Sequence, residues 1–256
     1  MNTRTRLAAL ISSLAFVAHV GIAAAQETAA SAPAKTVVLV HGAFADGSSW
    51  NKVIPLLQKA GLKVVAVQNP LDSLAGDVAF TNRAINDADG SVVLVGHSWG
   101  GAVITEAGSN DKVHSLVYVA AYAPDQSQAV LDTVKNYPPS PGQSSFVKDA
   151  AGYVKVSDEG VAKYFAADLP HDEQVLVAAT QGALNSRALS EPVQHAAWHN
   201  VPSFAVIAGN DTIINPQQQR DQAKRMHAVS VEVPASHVAM LSYPQQVADL
   251  IIKAAK

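Results

Sequence analysis

Short apolar runs recur along the chain with the length expected of buried strands. Six runs are rich in β-branched residues: Val37–Val40, Lys63–Val67, Val92–Val95, Val113–Ala120, Ser203–Ala208 and Val229–Val233. Continuous apolar runs of four to eight residues are typical of strands that a parallel sheet buries on both faces. The pattern therefore predicts a central parallel sheet and not a set of half-exposed hairpins.

The stretches between these runs have helical patterns. Five candidate helices lie at about Ser49–Ala60, Leu74–Ala88, Gly101–Ser109, Pro216–Met226 and Pro244–Ala255. Alternation of strands and helices favours right-handed crossovers, which place helices on both faces of one sheet. The sequence predicts an α/β fold with a doubly wound, mostly parallel sheet of about six strands.

One long segment breaks the alternation. Between Tyr122 and Asn200 no run has the strand pattern, and prolines 138, 139 and 141 interrupt a series of short helical stretches. We predict that about residues 122–200 form a small helical cap over the sheet. A chain of this length fits one α/β domain, so the cap is expected to be an insertion in a single domain of residues 36–256.

The beginning of the chain has the pattern of a signal peptide. Arg4 and Arg6 precede an apolar stretch over Leu7–Ala24, and residues 23–25 are three alanines. A short basic region, an apolar stretch and small residues at the cleavage site are the three parts of such a peptide. We predict cleavage after residue 25.

The alternative for this segment is an uncleaved membrane anchor, which His19 and the many small residues disfavour. We therefore expect a mature chain that is periplasmic or secreted and has no stable membrane insertion. Residues 26–35 are rich in Ala, Ser, Thr and Pro, and they are expected to form a flexible lead-in.

Composition narrows the possible functions. Hydrophobic residues make up 48% of the chain and charged residues 15%, which favours a folded core over disorder. The net charge of -3 becomes -5 after cleavage, because residues 1–25 contain two arginines and no acid. A mildly acidic chain without clustered basic residues gives no indication of a nucleic-acid partner. The absence of cysteine excludes disulfides, a thiolate nucleophile and cysteine-bound metal.

The segment Gly-His-Ser-Trp-Gly at residues 96–100 follows the third apolar run. A G-x-S-x-G segment between a buried strand and a helix places its serine at the tip of a sharp turn. The glycines leave room for the strained backbone, and the helix N-terminus favours negative charge that develops nearby. A chance match in a glycine-bearing loop is the alternative, which the strand and helix context disfavours. Ser98 is therefore the candidate nucleophile.

A serine hydroxyl needs a base to act at neutral pH. His237 is the best placed of nine histidines, because it follows the last predicted strand and precedes the terminal helix. His19 belongs to the predicted signal peptide. The others are interpreted as loop, packing or surface residues: His41, His97, His114, His171, His195, His199 and His227.

An acidic residue after the penultimate strand would complete the site. Asp211 has this place, and its role would be to hold the imidazole in the required tautomer. A turn aspartate that caps the helix near Pro216 is the structural alternative, and Asp125 after the preceding strand is a rival. Residues 210–212 also match a glycosylation sequon, but a glycan there would obstruct a catalytic acid.

The order of these markers resembles the α/β-hydrolase superfamily over nearly all of residues 36–255. The markers are Leu-Val-His-Gly-Ala at 39–43, Gly-His-Ser-Trp-Gly-Gly at 96–101, Asp211 and Ser-His at 236–237. Within the superfamily, the chain most resembles the small plant-type group of methyl-ester esterases and hydroxynitrile lyases, with bacterial relatives that have short caps. The resemblance implies acyl transfer without cofactor or metal: Ser98 forms an acyl-enzyme, and water then releases the acid.

The resemblance also implies an oxyanion hole made of two backbone amides. One amide belongs to Trp99 after the nucleophile, and the other to Ala43 in the loop after the first strand, which His41 is expected to shape. Related dehalogenases and epoxide hydrolases carry an aspartate at the position of Ser98. The lyases place a lysine after the catalytic histidine, and Val238 at that position argues against lyase activity.

Aromatic residues are the candidates for a substrate pocket. Phe44 lies beside the expected oxyanion hole, and Tyr122 and Trp198 lie in the predicted cap. We expect these three to bind the substrate. For each of them the alternative is a place in the core of the cap. The same alternative applies to the remaining aromatic residues of the cap, which are Tyr137, Phe146, Tyr153, Tyr164 and Phe165.

These features together predict a serine carboxylester hydrolase acting on small or aryl esters. Perhydrolase-like or aminopeptidase-like use of the same three side chains is one alternative. The peptidase would need acids that hold a free amine, for which Glu159, Glu173 and Glu191 are available. A non-catalytic protein of the same fold that binds a small molecule is the other alternative, because a fold alone does not establish activity. The sequence does not indicate the oligomeric state.

Overall fold

The computed structural model describes residues 33–256. The predicted signal peptide (1–25) and most of the predicted lead-in (26–35) lie outside the described residues and stay predictions. No helix within the described range has both the length and the hydrophobicity needed to cross a bilayer.

The fold begins slightly before the first predicted strand. Ala34 is buried, and its backbone N–H donates a hydrogen bond to the carbonyl of Ala255 at 2.9 Å. The last residues of the predicted lead-in are therefore held against the C-terminal helix.

The described residues contain a large parallel sheet and a small antiparallel one. In chain order the strands are β1 (Thr36–Val40), β2 (Lys63–Val67), β3 (Val92–His97), β4 (Val113–Val119), β5 (Phe146–Lys148), β6 (Tyr153–Val156), β7 (Leu184–Asn185), β8 (Ser203–Ala208) and β9 (Val229–Val233). The large sheet has the order β2-β1-β3-β4-β8-β9, and all of its neighbouring strands are parallel. The predicted doubly wound sheet of six strands is confirmed.

Helices cover this sheet and form much of the cap. The α-helices are α1 (Ile54–Lys59), α2 (Leu74–Asp87), α3 (Gly100–Ala107), α4 (Val130–Thr133), α5 (Asp158–Gly160), α6 (His171–Ala179), α7 (Pro216–Arg225), α8 (Ala239–Ser242) and α9 (Pro244–Ala254). Shorter turns are the 3-10 helices Gly47–Trp50, Pro141–Ser145, Ala188–Ser190 and Ala197–His199, and the π-helix Val161–Phe165.

The starts of the main helices follow ordinary capping chemistry. The hydroxyl of Ser73 accepts the N–H of Gly76 at 3.0 Å, which caps α2. Proline occupies the first position of α7 and of α9, where its missing N–H costs no hydrogen bond. The predicted helix at 49–60 is instead a 3-10 turn followed by α1, which begins at Ile54.

The burial of the strands explains why the sequence pattern was informative. β1 and β3 are buried along their whole length, as their continuous apolar runs predict. The edge strands β2 and β9 are more exposed and contain charged residues. The centre of the core therefore lies on both sides of β1 and β3.

The sheet topology places the predicted site residues at one edge. The strand order reverses around β1, with β2 on one side of it and β3 on the other, and this reversal opens a crevice at the carboxyl ends of the strands. Ala43 follows β1, Ser98 follows β3, Asp211 follows β8 and His237 follows β9. Four loops that are far apart in sequence thus reach the same edge.

The cap is partly helical, as predicted, but it also contains a small sheet that the prediction missed. β5, β6 and β7 form an antiparallel sheet in the order β5-β6-β7. The three strands are three, four and two residues long. Runs this short do not establish an alternating pattern in the sequence, and so they were not recognised as strands.

Candidate active site

Ser98 occupies a tight turn between β3 and α3. Its φ angle is +52°, in the left-handed region, and its N–H donates to the carbonyl of Val119 at 3.2 Å. A Cβ atom on Gly96 would lie 2.4 Å from the carbonyl oxygen of Gly100. A Cβ atom on Gly100 would lie 2.6 Å from the carbonyl oxygen of Val40. Both glycines are therefore required by the close approach of backbone around the turn.

Ser98, His237 and Asp211 form one hydrogen-bonded chain. The Oγ atom of Ser98 is 2.8 Å from Nε2 of His237, and Nδ1 of His237 is 2.8 Å from Oδ2 of Asp211. Because a carboxylate only accepts hydrogen bonds, Nδ1 carries the hydrogen and Nε2 presents its lone pair to the serine hydroxyl. The exposed fractions are 6% for Ser98, 3% for Asp211 and 0% for His237, so these three hydrogen-bonded residues are shielded from bulk water.

The carboxylate of Asp211 is held by further donors. Its Oδ1 accepts the N–H groups of Ile213 at 2.7 Å and Ile214 at 3.0 Å. Its Oδ2 accepts the side-chain amide of Gln219 at 2.8 Å in addition to His237. Hydrogen bonds to a charged acceptor are stronger than those between neutral groups, so this network fixes the carboxylate. Gln219, in the first turns of α7, was missed by sequence reasoning.

The rival acid Asp125 lies elsewhere. Its Oδ1 is 2.8 Å from Nε2 of His199, and both side chains are at the surface. His195 likewise pairs with Glu106 at 2.8 Å. The structure therefore brings Asp211, and not Asp125, to His237.

Two further buried histidines support the site. Nε2 of His97 donates to the carbonyl of His237 at 3.0 Å. Burial, with the neighbouring His237, lowers the pKa of His97 well below its usual range. Nδ1 of His41 donates to the carbonyl of Gly42 at 2.9 Å, while Nε2 accepts the N–H of Asn69 at 2.9 Å. Burial also lowers the pKa of His41. Both rings are therefore neutral at pH 7, and His41 shapes its loop as the sequence predicts.

The loop after β1 passes directly against the nucleophile. A Cβ atom on Gly42 would lie 2.7 Å from Cβ of Ser98. Phe44 has a φ angle of +63°, so the loop turns sharply after Ala43. Among the backbone hydrogen bonds of residues 33–256, neither the amide of Ala43 nor that of Trp99 donates to a protein acceptor. Trp99 directly follows Ser98, and Ala43 directly follows Gly42, which packs against Ser98.

A cavity of about 210 Å³ adjoins the site, although Ser98, Asp211 and His237 are not among the residues that line it. Phe44 and Val238 on its lining are next in sequence to Ala43 and His237. The ring of Phe165 is 5.0 Å from the ring of His237, and it also lines the cavity. The remaining apolar lining residues are Ala45, Leu176, Val177 and Leu241. The polar lining residues are Asp46, Ser48, Ser49, Asn51, Lys52, Glu173 and Thr180, of which Lys52 and Glu173 form a 2.7 Å ion pair.

Two of the three predicted substrate-binding residues are not on this cavity. Tyr122 reaches the site through its backbone, because its N–H donates to the carbonyl of Ser98 at 3.2 Å. Trp198 is buried, and its indole N–H donates to the carbonyl of Pro124 at 2.9 Å. The guanidinium of Arg225 lies 5.2 Å from the Trp198 ring. Trp198 therefore takes the alternative role of packing the cap, and Phe44 alone of the three lines the cavity.

The cap contacts the loop that carries His237 through hydrogen bonds between Asp168 and Ser236, which sequence reasoning missed. Asp168 accepts the backbone N–H of Ser236 at 3.0 Å and also its hydroxyl. Ser236 directly precedes His237. Asp168 lies 68 residues before its partner and belongs to no motif, so no sequence signal marked it.

The acids proposed for binding a free amine do not converge. Glu173 pairs with Lys52, and Glu191 accepts the backbone N–H of Leu74 at 2.8 Å. Within the part of the chain that the structure describes, no group of three or more His, Cys, Asp or Glu side chains is arranged to hold a metal ion.

Comparisons with known proteins agree with this architecture. A model described as the alpha/beta hydrolase family matches residues 37–250. The chain is 25% identical to methylesterase 1 of Arabidopsis thaliana, over 85% of this chain and 95% of that protein. It is 24% identical to a pyrethroid hydrolase of Sphingobium wenxiniae, over 84% of this chain and 85% of that protein. A crystal structure of polyneuridine aldehyde esterase matches with a TM-score of 0.75 and 20% identity, over 87% of this chain and all of that chain.

Proposed function

The chain belongs to the alpha/beta hydrolase family, and on that premise we propose that it hydrolyses small or aryl carboxylic esters through an acyl-enzyme on Ser98. The observation that carries the proposal is the buried chain of two 2.8 Å hydrogen bonds from Ser98 through His237 to Asp211. The names of the relatives, a methylesterase and a pyrethroid hydrolase, support an esterase.

Acylation uses each member of that chain. As the Oγ atom of Ser98 forms a bond to the ester carbonyl carbon, its proton passes to Nε2 of His237. Asp211 stabilises the imidazolium that results. The carbonyl oxygen becomes an oxyanion, and the amides of Ala43 and Trp99 are proposed to bind it. His237 then returns its proton to the departing alcohol oxygen as the carbon–oxygen bond breaks.

Deacylation repeats the same proton transfers with water. His237 takes a proton from a water molecule that attacks the acyl carbon, and the proton returns to Oγ of Ser98 as the acid leaves. The neutral state of His97 matters here, because a second positive charge beside His237 would oppose formation of its imidazolium. The fixed donors around Asp211 keep the carboxylate in place through both steps.

The cavity supports the proposed substrate class. Half of the residues that line it are apolar, and the rings of Phe44 and Phe165 lie on the side towards His237. Lys52 and Glu173 neutralise each other at 2.7 Å, and Asp46 adds one further carboxylate, whose Oδ1 accepts the N–H and the hydroxyl of Ser48. An uncharged ester with an aryl or alkyl group therefore fits this site better than an anionic substrate.

Removal of the nucleophile tests the proposal. In Ser98→Ala, turnover of p-nitrophenyl acetate is expected to fall by about four to six orders of magnitude, because the acyl-enzyme no longer forms. Ser109→Ala is the matched control, since it removes an exposed serine hydroxyl just beyond α3 and leaves the site intact. Turnover by Ser98→Ala close to that of the control would overturn the proposal.

A panel of reactions separates the alternatives. The purified chain is assayed with carboxylic esters, amino-acid anilides and acetate plus hydrogen peroxide. Ester hydrolysis well above the other two reactions supports the proposal. Dominant anilide hydrolysis would indicate a peptidase, and dominant peracid formation a perhydrolase. Tight binding of an aryl ester without turnover would indicate a binding protein.

A further inference from the structure

A buried carboxylate lies next to the nucleophile turn and has no role in the steps above. Asp77, in the first turn of α2, is fully buried. Its Oδ1 accepts the backbone N–H of Leu71 at 2.9 Å, and its Oδ2 accepts the indole N–H of Trp99 at 2.7 Å. The Trp99 side chain is itself 1% exposed. One carboxylate thus connects α2 to the residue that follows Ser98.

Packing alone does not account for an acid at this position. Both of its hydrogen-bond donors are neutral, and a buried carboxylate without a cationic partner costs folding free energy. Burial raises the pKa of Asp77 to about 6, although its two hydrogen bonds act in the opposite direction. Asp72 and Glu191 contribute further negative charge. A neutral side chain would avoid this cost, so the acid has to be explained by what it holds.

What Asp77 holds is the far end of Trp99. The backbone of Trp99, at the other end of the residue, is part of the Ser98 turn. In this turn the carbonyl of Ser98 accepts the N–H of Gly101 at 2.9 Å, and the carbonyl of Trp99 accepts the N–H of Ala102 at 2.9 Å. The residue is therefore fixed at both ends. Rotation of its peptide plane would pull the indole away from the carboxylate and leave two buried polar groups without partners.

We propose that Asp77 is a positioning residue for ester hydrolysis, which holds Trp99 so that the amide of Trp99 faces the oxyanion. The inference rests on the proposed function, because it concerns the oxyanion hole of that reaction. Asp77 does not contact the substrate. Its effect is on the transition state, where the oxyanion exists, and not on the binding of the uncharged ester.

Three variants separate this role from a purely structural one. Asp77→Asn keeps one acceptor oxygen but presents an NH₂ group to one of two donors, so the grip on Trp99 is lost or weakened. Trp99→Phe keeps Asp77 and removes the indole N–H. The double variant removes both sides of the contact, and if they act as a unit its effect will not exceed that of either single change.

The experiment measures kcat and KM for p-nitrophenyl acetate hydrolysis. It also measures the inhibition constant of a trifluoromethyl ketone in the same assay. An organophosphonate titrates the active serine, so that kcat refers to folded enzyme only. Asp77→Asn and Trp99→Phe are each expected to lower kcat about tenfold to hundredfold, as small misplacements of catalytic groups do. Ketone binding should weaken by a similar factor, while KM changes less than about twofold, because only the oxyanion-bearing states use the amide. Thr81→Val is the matched control, since Thr81 is also buried on α2 and its hydroxyl has no hydrogen-bond partner among the described residues.

The outcomes are distinct. The inference would be overturned if Asp77→Asn and Thr81→Val had the same kcat per titrated active site and the same ketone affinity. Additive losses of kcat in the double variant would also overturn it. If Asp77→Asn does not fold, Trp99→Phe decides the question alone, and unchanged ketone affinity there overturns the inference. Failure of the wild-type chain to react with the phosphonate would instead contradict the proposed function.

Discussion

The carboxyl edge of the main sheet and the cap differ in how firmly they are built. At the sheet edge Ser98, Asp211 and His237 are almost fully buried and linked by hydrogen bonds. The cap instead consists of short helices and strands of two to four residues, and it exposes more than half of Val147 and Leu176.

This difference indicates that the sheet edge fixes the reacting groups, while the cap mainly lines the cavity. A sheet of parallel strands fixes backbone positions over long sequence distances, which a reaction needs. The cap meets the site at fewer points, chiefly the cavity lining, Phe165 against His237 and Asp168 against Ser236. We therefore expect changes at the sheet edge to alter the rate of reaction most, and changes in the cap to alter it less.

The largest effect is expected for Asp211→Asn. An amide in place of the carboxylate no longer selects the imidazole tautomer that accepts the Ser98 proton, and a corresponding change in serine proteases lowers kcat by about 10⁴. Asp125→Asn is the control, because that acid contacts His199 at the surface and should leave kcat within about twofold. Steady-state kinetics on one ester checks both. Equal losses in the two variants would mean that the sheet edge has no special role.

A smaller effect on stability is expected for Asp77→Asn, and it depends on pH. The folded pKa is about 6, above the ordinary value of 3.8, so between pH 4 and 6 the folded state keeps a proton that the unfolded state has lost. The contribution of Asp77 to the free energy of unfolding is therefore full below pH 4 and falls as pH rises through 6. A shift of two pKa units corresponds to about 3 kcal/mol.

Urea unfolding of the wild type and of Asp77→Asn at several pH values measures this contribution. The difference between the two free energies is expected to change by about 2–3 kcal/mol in favour of the variant from pH 4 to pH 7. If this difference does not change between pH 4 and pH 7, ionisation of Asp77 does not cost folding free energy, and the prediction is wrong.

The link between the two regions is tested by Asp168→Asn. The asparagine keeps one acceptor for Ser236 and loses the other, so the loop that carries His237 is held less firmly. Because Asp168 is at the surface, kcat/KM should fall only about threefold to tenfold, as expected for one partly exposed charged hydrogen bond. Asp172→Asn removes a nearby exposed acid of α6 as the control. A loss as large as that of Asp211→Asn would place the cap within the catalytic apparatus and erase the comparison.

The smallest effect is expected where the cap meets the core through an ion pair. Lys52 and Glu173 are 2.7 Å apart, but their side chains are 40% and 32% exposed, so water screens them. Glu173→Gln should lower the free energy of unfolding by less than about 1 kcal/mol. Glu159→Gln in α5 is the control, and urea unfolding at low and high salt is the measurement. A loss above about 2 kcal/mol would show a cap held by electrostatics.

Long and simple patterns made the main fold predictable from sequence. The valine-rich runs of β1 and β3 are buried on both faces, so burial and pattern coincide. The strands of the cap carry no such pattern, because each is only a few residues long and half exposed. The role of Trp198 was ambiguous for a related reason. An aromatic residue in a cap suits both pocket and core, and the hydrogen bond from its indole N–H to the carbonyl of Pro124 depends on packing that the sequence does not specify.

The site was predictable where loops follow strands of one parallel sheet. Ser98, Asp211 and His237 each come directly after such a strand, so strand order alone brings them together. Asp77 lies in α2 and Asp168 lies in the cap, so neither follows a strand of the main sheet, and neither belongs to a sequence motif. Their contacts with Trp99 and Ser236 depend on how helices and cap pack, which local sequence does not specify.

The most direct test of the account is covalent labelling of the nucleophile. The chain is treated with a fluorophosphonate, and intact mass and peptide mapping locate the adduct. We predict time-dependent loss of esterase activity with one adduct on Ser98, and strong slowing of that labelling in His237→Ala, because the base that activates the hydroxyl is gone. Labelling at another residue, or labelling of Ser98 that is equally fast without His237, would contradict the assignment of Ser98 and His237 as nucleophile and base.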